Sequence, residues 1–543
     1  MPHYLNRFSA VVALSLVTAC QTPEEHAASA DKEVYALLAS RRAEFSSDPD
    51  SFEIVEDPNS LRKRLLAGEA APTEPIGLTE VLLIASENSR EFQDKRERLY
   101  LTALDLTMER WRLGWIPSGS MSVEETGLAN TTAEVNASTD FGLSKFFGDG
   151  GQIIAGIGVD LWRLLSSGSG EGSAGVLSLT ITQPLLTDVG RRIMLEPLTQ
   201  AERDLVYEVR AYERFRRTFA VDVASRYYQV LRMMDAAKNA ELNYTNLATL
   251  ADRNRALAKA GRLDDLQLDQ VKQDELRSED RLLSAKASLR SSLDEFKYYL
   301  GLPIGVELVF DSAALDRFAE EAPVAVELEE DSLISVAMAS RLDYLTILDE
   351  LEDAERRVEI SEDALRAGLD FVASSSTSSA ERKPGKFEFD DTSWSLGLAL
   401  DLPIDQLPER NAYRSSLISR DATRRSAEAF GDSIRVSLRD ALREAETAFR
   451  TYNIQLESVS LAERRVESTN LRLEAGRAEI RDILEAQEAL LESRNSVTNS
   501  LVEFQLAKLT LYRDTEHLEV GEGGISIRPI ELEDPQDSGA RGQ

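Results

Sequence analysis

The chain is poor in the residues that build metal centres, disulfide frameworks and nucleotide sites. Among its 543 residues there is one cysteine, Cys20, so no disulfide can close within the chain. The three histidines, His3, His26 and His517, are far apart in sequence, and one cysteine leaves no Cys/His zinc spacing. No Gly-Lys-Ser/Thr closes a glycine-rich turn, and the glycines of "GDGGQIIAGIG" follow no buried strand into a helix. No enzyme site is legible, and neither a metal nor a soluble cofactor is implied. Basic residues are outnumbered, 62 against 95 acids, and the net charge of −33 argues against nucleic acid, whose phosphates need clustered Lys and Arg. No apolar run is long enough for a transmembrane helix, so a membrane could be crossed only by strands.

What is present points to long helices. Charged residues make up 29% and aromatics 7%, and tracts rich in Ala, Glu, Leu and Arg have the composition of coiled coils. The N-terminus differs. Arg7 precedes "FSAVVALSLVTAC", a short apolar run ending in small residues, which reads as a signal peptide over residues 1–19. The position of Cys20 at its end points to lipidation.

Residues 20–76, with five prolines and many acids, read as a largely irregular lead-in with a short helix around Lys32 to Glu44. Helical sequence then runs from Gly77 to Leu113, with Thr79 as N-cap, and stops at "LGWIP". Strand segments follow over about 118–186; in "AGVLSLTITQPLL", Val176, Ser178, Thr180 and Thr182 alternate with Leu177, Leu179 and Ile181. A long helical hairpin breaks at Gly261. The same order recurs: helix, strands over about 368–403, and a second hairpin breaking at Gly476. Repeats over 77–315 and 316–515, then an irregular tail over 516–543, complete the chain. Pro184, Gly190 and Pro403 mark the strand-to-helix junctions, in "TQPLLTDVGRR" and "DLPIDQLPERN".

Two stretches repeat one punctuation, "LAKAGRLDDLQ" and "RLEAGRAEIRDILEA", each an Ala-Gly-Arg break followed by carboxylates. Around the second, Leu438, Leu442, Ala445, Phe449, Tyr452, Leu456 and Val459 form a heptad seam. A returning arm holds Ile483, Gln487, Leu490, Arg494, Val497, Leu501 and Phe504. Trp115, Trp162 and Trp394 are candidates for an interfacial aromatic belt or for ordinary packing. The loop "ERKPGKFEF" is a candidate extracellular tip.

The signal peptide, the twofold repeat, the "QPLLTDVGR" junction and above all "AGRAEIRDILEAQEALLESRNSVTNSLVEFQLAKLTLYRD" resemble the TolC family of outer-membrane factors, over roughly residues 77–515. "LVTAC" likewise resembles the lipobox of bacterial lipoproteins, with Thr18 departing from the usual small residue and Cys20 as the acylated residue. The resemblance implies a mainly α fold with a membrane β-barrel, in a homotrimer of the Gram-negative outer membrane reaching into the periplasm. Each protomer would give four strands to a shared twelve-stranded barrel and its hairpins to a helical tube. A periplasmic adaptor protein and, through it, an inner-membrane pump of unknown class are the implied partners, besides outer-membrane lipid. The implied function is a passive exit duct for efflux or type I secretion.

By the same resemblance Gly261, Arg262, Gly476 and Arg477 sit at the hairpin tips, as turns and adaptor contacts. Asp482 and Glu485, with Asp265 from the first repeat, would form acidic rings at the periplasmic aperture. Where relatives latch that aperture with a tyrosine and an arginine, this chain has Leu473 and Ala478, so a latch would use other pairs. Two alternatives stay open: a periplasmic adaptor, and a structural coiled-coil lipoprotein without a pore.

Overall fold

The computed structural model describes residues 22–44, 52–55, 57–127, 133–164, 171–261, 264–320, 323–325, 329–380, 383, 385–521 and 523–528. Cys20 and Arg262 lie outside the described residues.

The twofold repeat is written in helix lengths. After α1 (Pro23–Arg42) and α2 (Leu61–Leu66), the first repeat opens with α3 (Leu78–Asn88) and α4 (Arg90–Arg112). The second opens with α9 (Glu330–Ser340) and α10 (Leu342–Asp363). In each pair a single residue in extended conformation, Ser89 or Arg341, interrupts the helix after 11 residues. Past the strands the first repeat has α5 (Arg191–Met194), α6 (Glu196–Lys259), α7 (Asp265–Tyr299) and α8 (Ala314–Glu320). The second has α11 (Leu407–Glu474) and α12 (Ile480–Asp514). The ascending arms hold 64 and 68 residues and the returning arms 35 each. At 1.5 Å per residue α6 alone is about 95 Å long.

Six strands form one antiparallel sheet in chain order: β1 (Trp115–Gly127), β2 (Ala133–Phe146), β3 (Gln152–Leu164), β4 (Glu171–Pro184), β5 (Gly368–Ser378) and β6 (Ser393–Asp401). The resemblance implied four. The first repeat supplies four strands instead of two, because Trp115–Phe146, rich in Ser, Gly and Thr, pairs as a complete hairpin from Trp115↔Lys145 to Gly127↔Ala133. The helix stops at "LGWIP", after Arg112, but Pro117 has no part in stopping it: it lies within β1, an edge strand of this sheet, where a missing N–H is tolerated.

The chain divides into two compact units. The first (Met1–Arg41, Leu99–Val209, Thr346–Glu428) contains the whole sheet. Here α6 is tied to α10 by a polar network: the buried Asp353 carboxylate accepts from the Tyr207 hydroxyl at 2.8 Å and pairs with Arg203 at 2.5 Å and Arg356 at 2.8 Å. The lead-in is less irregular than its prolines suggested, since α1 is 20 residues long and buries Val34 and Leu38.

The second unit (Arg42–Arg98, Arg210–Leu345, Ala429–Gln543) holds both hairpin turns. Its core includes Leu333 and Ala337 of α9 packed on Ile434, Leu438 and Leu442 of α11 and Leu511 of α12. Phe92, Phe215 and Phe219 add an aromatic triad with ring centroids 5.2–5.7 Å apart. The expected heptad seam is buried at Leu438, Leu442, Ala445 and Tyr452, but Leu456 is 39% exposed and the seam resumes at Ala462. Leu456 lies five full turns from Leu438, on the same side of a straight helix, so its exposure reflects what packs beside the helix there and not the helical register. Thr79 is not the N-cap of α3. Gly77 is, and its N–H donates to the Glu80 carboxylate at 2.6 Å. The tail holds a small hairpin, β7 (Leu518–Gly521) with β8 (Gly524–Ile527). It is held to α6 through Glu516, which accepts from Arg214 at 2.7 Å and pairs with Arg217 at 2.6 Å.

Candidate functional site

Cross-strand register sorts the sheet into two faces, because side chains alternate and paired residues share a side. One face carries Trp115, Met121, Val123, Phe141, Leu143, Ile157, Leu179, Ile181, Phe371, Trp394, Leu396, Leu398 and Leu400, all substantially exposed. The other carries Ser118, Ser120, Ser122, Ser138, Ser144, Gly156, Gly158, Ser178, Thr180, Thr182, Ser374, Ser376, Ser393 and Ser395. A soluble sheet would cover such an apolar face. A contiguous exposed face with small polar residues behind it is the pattern of a membrane barrel, lipid outside and water inside. Trp115 and Trp394 occupy adjacent rows of the apolar face, 51% and 73% exposed, which favours the belt over core packing. The side chain of Trp162 lies outside the described residues.

Strands and helices meet at a fastened junction. Pro184 is the last residue of β4, and Leu185 N–H still donates to Leu369 O at 2.7 Å. Beyond it the Thr187 hydroxyl donates to Ala367 O at 2.9 Å, and Asp188 N–H to the buried Asp363 carboxylate at 2.9 Å. Gly190, at φ 101°, caps α5. Pro403 follows β6 by two residues. The junction motif thus bonds one repeat's strand end to the other repeat's strand start.

At the hairpin turns both glycines adopt the left-handed conformation, Gly261 at φ 70° and Gly476 at φ 67°. In the second turn Gly476 N–H donates to Leu473 O and Arg477 N–H to Arg472 O at 2.8 Å, the paired bonds of a Schellman cap. Asp482 is half-buried, and its carboxylate accepts the N–H of Glu479, the N-cap of α12, at 2.9 Å. It therefore serves as the reciprocal member of a capping box. Glu485 is exposed and pairs with Arg481 at 3.5 Å. It lines a groove of about 270 Å³ with Asn243, Asp274, Arg277, Arg281 and Glu488. Asp265 opens α7 and is exposed.

The two turns are brought together. Leu247 and Ala251 of α6, Val271 of α7, and Ile480 and Leu484 of α12 form one buried cluster, with Leu473 packed on it. Two cross-hairpin ion pairs flank it, Arg253–Glu474 at 3.2 Å and Arg281–Glu488. A polar rung lies farther along: Thr498 donates to Asp235 at 2.5 Å, and Asn239 donates to Asp235 and to Asn495, each at 3.1 Å. None of these partners was legible in advance. Leu473, one of the two positions read as departing from the latch pattern, packs against this cluster.

Among the described residues no helix is long and apolar enough to cross a membrane, and no group of three or more His, Cys, Asp and Glu is placed to hold a metal ion.

Residues 333–514 match the sequence profile of the family described as outer membrane efflux protein. No curated protein sequence matches the chain. Among solved structures it is similar to CusC, a protein described for folding and transmembrane channel formation, at TM-score 0.61 and 12% identity, covering 81% of this chain and 91% of CusC. It is similar to the outer membrane protein VceC of Vibrio cholerae at 0.59 and 14%, covering 81% and 95%. The outer membrane channel CmeC of Campylobacter jejuni gives 0.60 and 15%, covering 89% and 95%. Residues 333–514 thus match the outer membrane efflux protein family, and the chain as a whole has the fold of the solved outer-membrane channels CusC, VceC and CmeC.

Proposed function

We propose that the chain is one protomer of a passive trimeric exit duct of a Gram-negative outer membrane, serving a tripartite efflux or type I secretion system. The sheet forms part of the barrel wall, and the hairpins belong to the periplasmic part of the duct. The observation that carries this reading is the six-stranded sheet with an exposed apolar face and a Ser/Gly/Thr face. Neither an adaptor nor a solid coiled-coil lipoprotein has a use for such a sheet, and the two long hairpins exceed the single one expected of an adaptor.

In this reading Cys20 is acylated and anchors the lead-in. The tips, with Gly261, Arg262, Gly476 and Arg477, meet a periplasmic adaptor, and an inner-membrane pump supplies the energy. The chain performs no catalytic step. Asp482, Glu485 and Asp265, each repeated in three copies, set a negative potential at the aperture that attracts cations and repels anions.

Imaging of detergent-extracted particles from the outer-membrane fraction tests the reading. A hollow threefold particle is the expected result. A solid particle, or recovery only from the soluble periplasm, would sink it.

A further inference from the structure

The sheet contains more strands than a twelve-stranded barrel can use, and its edges are open. β1 pairs only with β2 and β6 only with β5, so the sheet does not close on itself. Its apolar face is exposed along all six strands. In lipid every backbone N–H and C=O needs a partner, and open edges are not tolerated. The missing partner must offer a strand of matching direction. Six is an even number, so β1 and β6 run in opposite directions, and β1 of one copy meets β6 of the next antiparallel, like every other neighbour in the sheet.

We infer that three copies close an eighteen-stranded barrel, six strands each, with β1 against the next copy's β6 as the seam. The count of three rests on the duct reading above.

The extra hairpin, β2 with β3, is part of the wall and not a flap. β2 pairs along its length on both sides, from Trp115↔Lys145 to Gly127↔Ala133 and from Phe146↔Gln152 to Glu134↔Leu164. Its turn is locked at the helical junction. Gly190 N–H donates to Asp149 O at 3.4 Å, and a Cβ on Gly150 would lie 2.5 Å from Asp188 O and 2.7 Å from Pro184 Cγ. That turn admits only glycine, at φ 96°, because the junction presses on it.

Two consequences follow. Barrel diameter grows roughly linearly with strand number, so the lumen is about 1.5-fold wider than that of twelve strands. On the polar face the strands place Glu124, Asp140, Asp160, Asp370 and Asp401, and among the described side chains of that face no Lys or Arg. Asp140 and Asp160 come from the extra hairpin and sit diagonally across it, opposite Gly158 and Ser138. The wide lumen is therefore lined by one sign of charge and favours cations.

The test is to count strands in images of the full-length protein extracted from the outer membrane, and to probe the seam chemically. Ser118→Cys, Ser120→Cys and Ser122→Cys are each combined with Ser395→Cys and oxidised, with single-cysteine forms as controls. Eighteen strands, with at least one pairing giving covalently linked trimers, is the expected result. A threefold particle with twelve wall strands, and no link from any pairing, overturns the inference and leaves the duct reading standing. A particle without threefold symmetry overturns both. The imaging uses the unaltered chain, so a cysteine variant that fails to fold does not remove the test.

Discussion

Arg253 and Glu474 face each other at 3.2 Å although 221 residues separate them in the chain. Each belongs to the ascending arm of its hairpin, within two turns of helix from the glycine turn. The pair joins the two repeats beside the buried cluster of Leu247, Ala251, Val271, Ile480 and Leu484. Both side chains are half exposed, which limits their worth. A double-mutant cycle with Arg253→Ala and Glu474→Ala should give a coupling of about 0.2–1 kcal/mol that shrinks as salt is raised. A coupling of several kcal/mol would mean that the pair is desolvated in the assembled protein.

Asp482 has two separable roles. Its carboxylate caps α12 through the Glu479 N–H, and the duct reading gives it a place in an acidic ring. Asp482→Ala removes both, and loss of the cap should cost about 1 kcal/mol. Asp482→Asn keeps an acceptor for the cap but removes the charge. Single-channel recordings of the Asn variant should show reduced preference for cations with thermal stability close to that of the parent. Unchanged selectivity would confine Asp482 to capping.

Three left-handed glycines should respond unequally to alanine. Around Gly261 and Gly476 a Cβ would meet nothing within 4 Å, so the cost is backbone strain alone, about 1 kcal/mol. At Gly150 the same strain is joined by contact with Asp188 O and Pro184. Heat-induced loss of the folded band in detergent gels should place Gly150→Ala well below the other two. Equal effects would show that the β2–β3 turn is not held against the junction.

Asp353 makes the first unit sensitive to acid. Burial alone would raise its carboxyl, but hydrogen bonds from Tyr207 and Arg203 and the charges of Arg203 and Arg356 outweigh burial and hold it below the ordinary carboxylate range. A depressed folded value means stability that is fully present above the unfolded carboxyl pKa, about 3.9, and lost as pH falls through the folded value. Asp353→Asn should cost about 2–4 kcal/mol at neutral pH, since it leaves the neighbouring arginines without their shared anion. It should also flatten the acid limb of the melting curve below about pH 4. An Asn variant with the parent's acid limb would assign that limb to other carboxylates.

How far the residues alone reach depends on the range of the interaction. Gly261 and Gly476 were readable as turns because a left-handed cap is a local demand that Ala-Gly-Arg announces twice. Leu438 to Tyr452 were readable because burial on a helix repeats at short range. Strand number was not, for a physical reason: one face of β1 and β2 is written largely in Ser, Gly and Asn, so strand sequence was legible over about 118–186 but not where one strand ends and the next begins, until register pairs Met121 with Thr139 and Val123 with Ala137. The exposure of Leu456 was not readable, because the heptad pattern gives the helix face but not what packs beside that face at each level. The capping role of Asp482 was local, in "EIRD", and could have been found there. Arg253–Glu474, Arg281–Glu488 and the Asp235–Thr498 bond could not, because each needs two helices from different repeats to be packed first.

β2 and β3 enter the sheet as a pair, and that decides at which end the chain leaves it. Inserting a single strand would send the chain out of the wrong side of the sheet and reverse every helix that follows. Inserting a pair returns it where it left off, so the chain leaves β4 at Pro184, at the same end of the sheet at which Trp115 entered it.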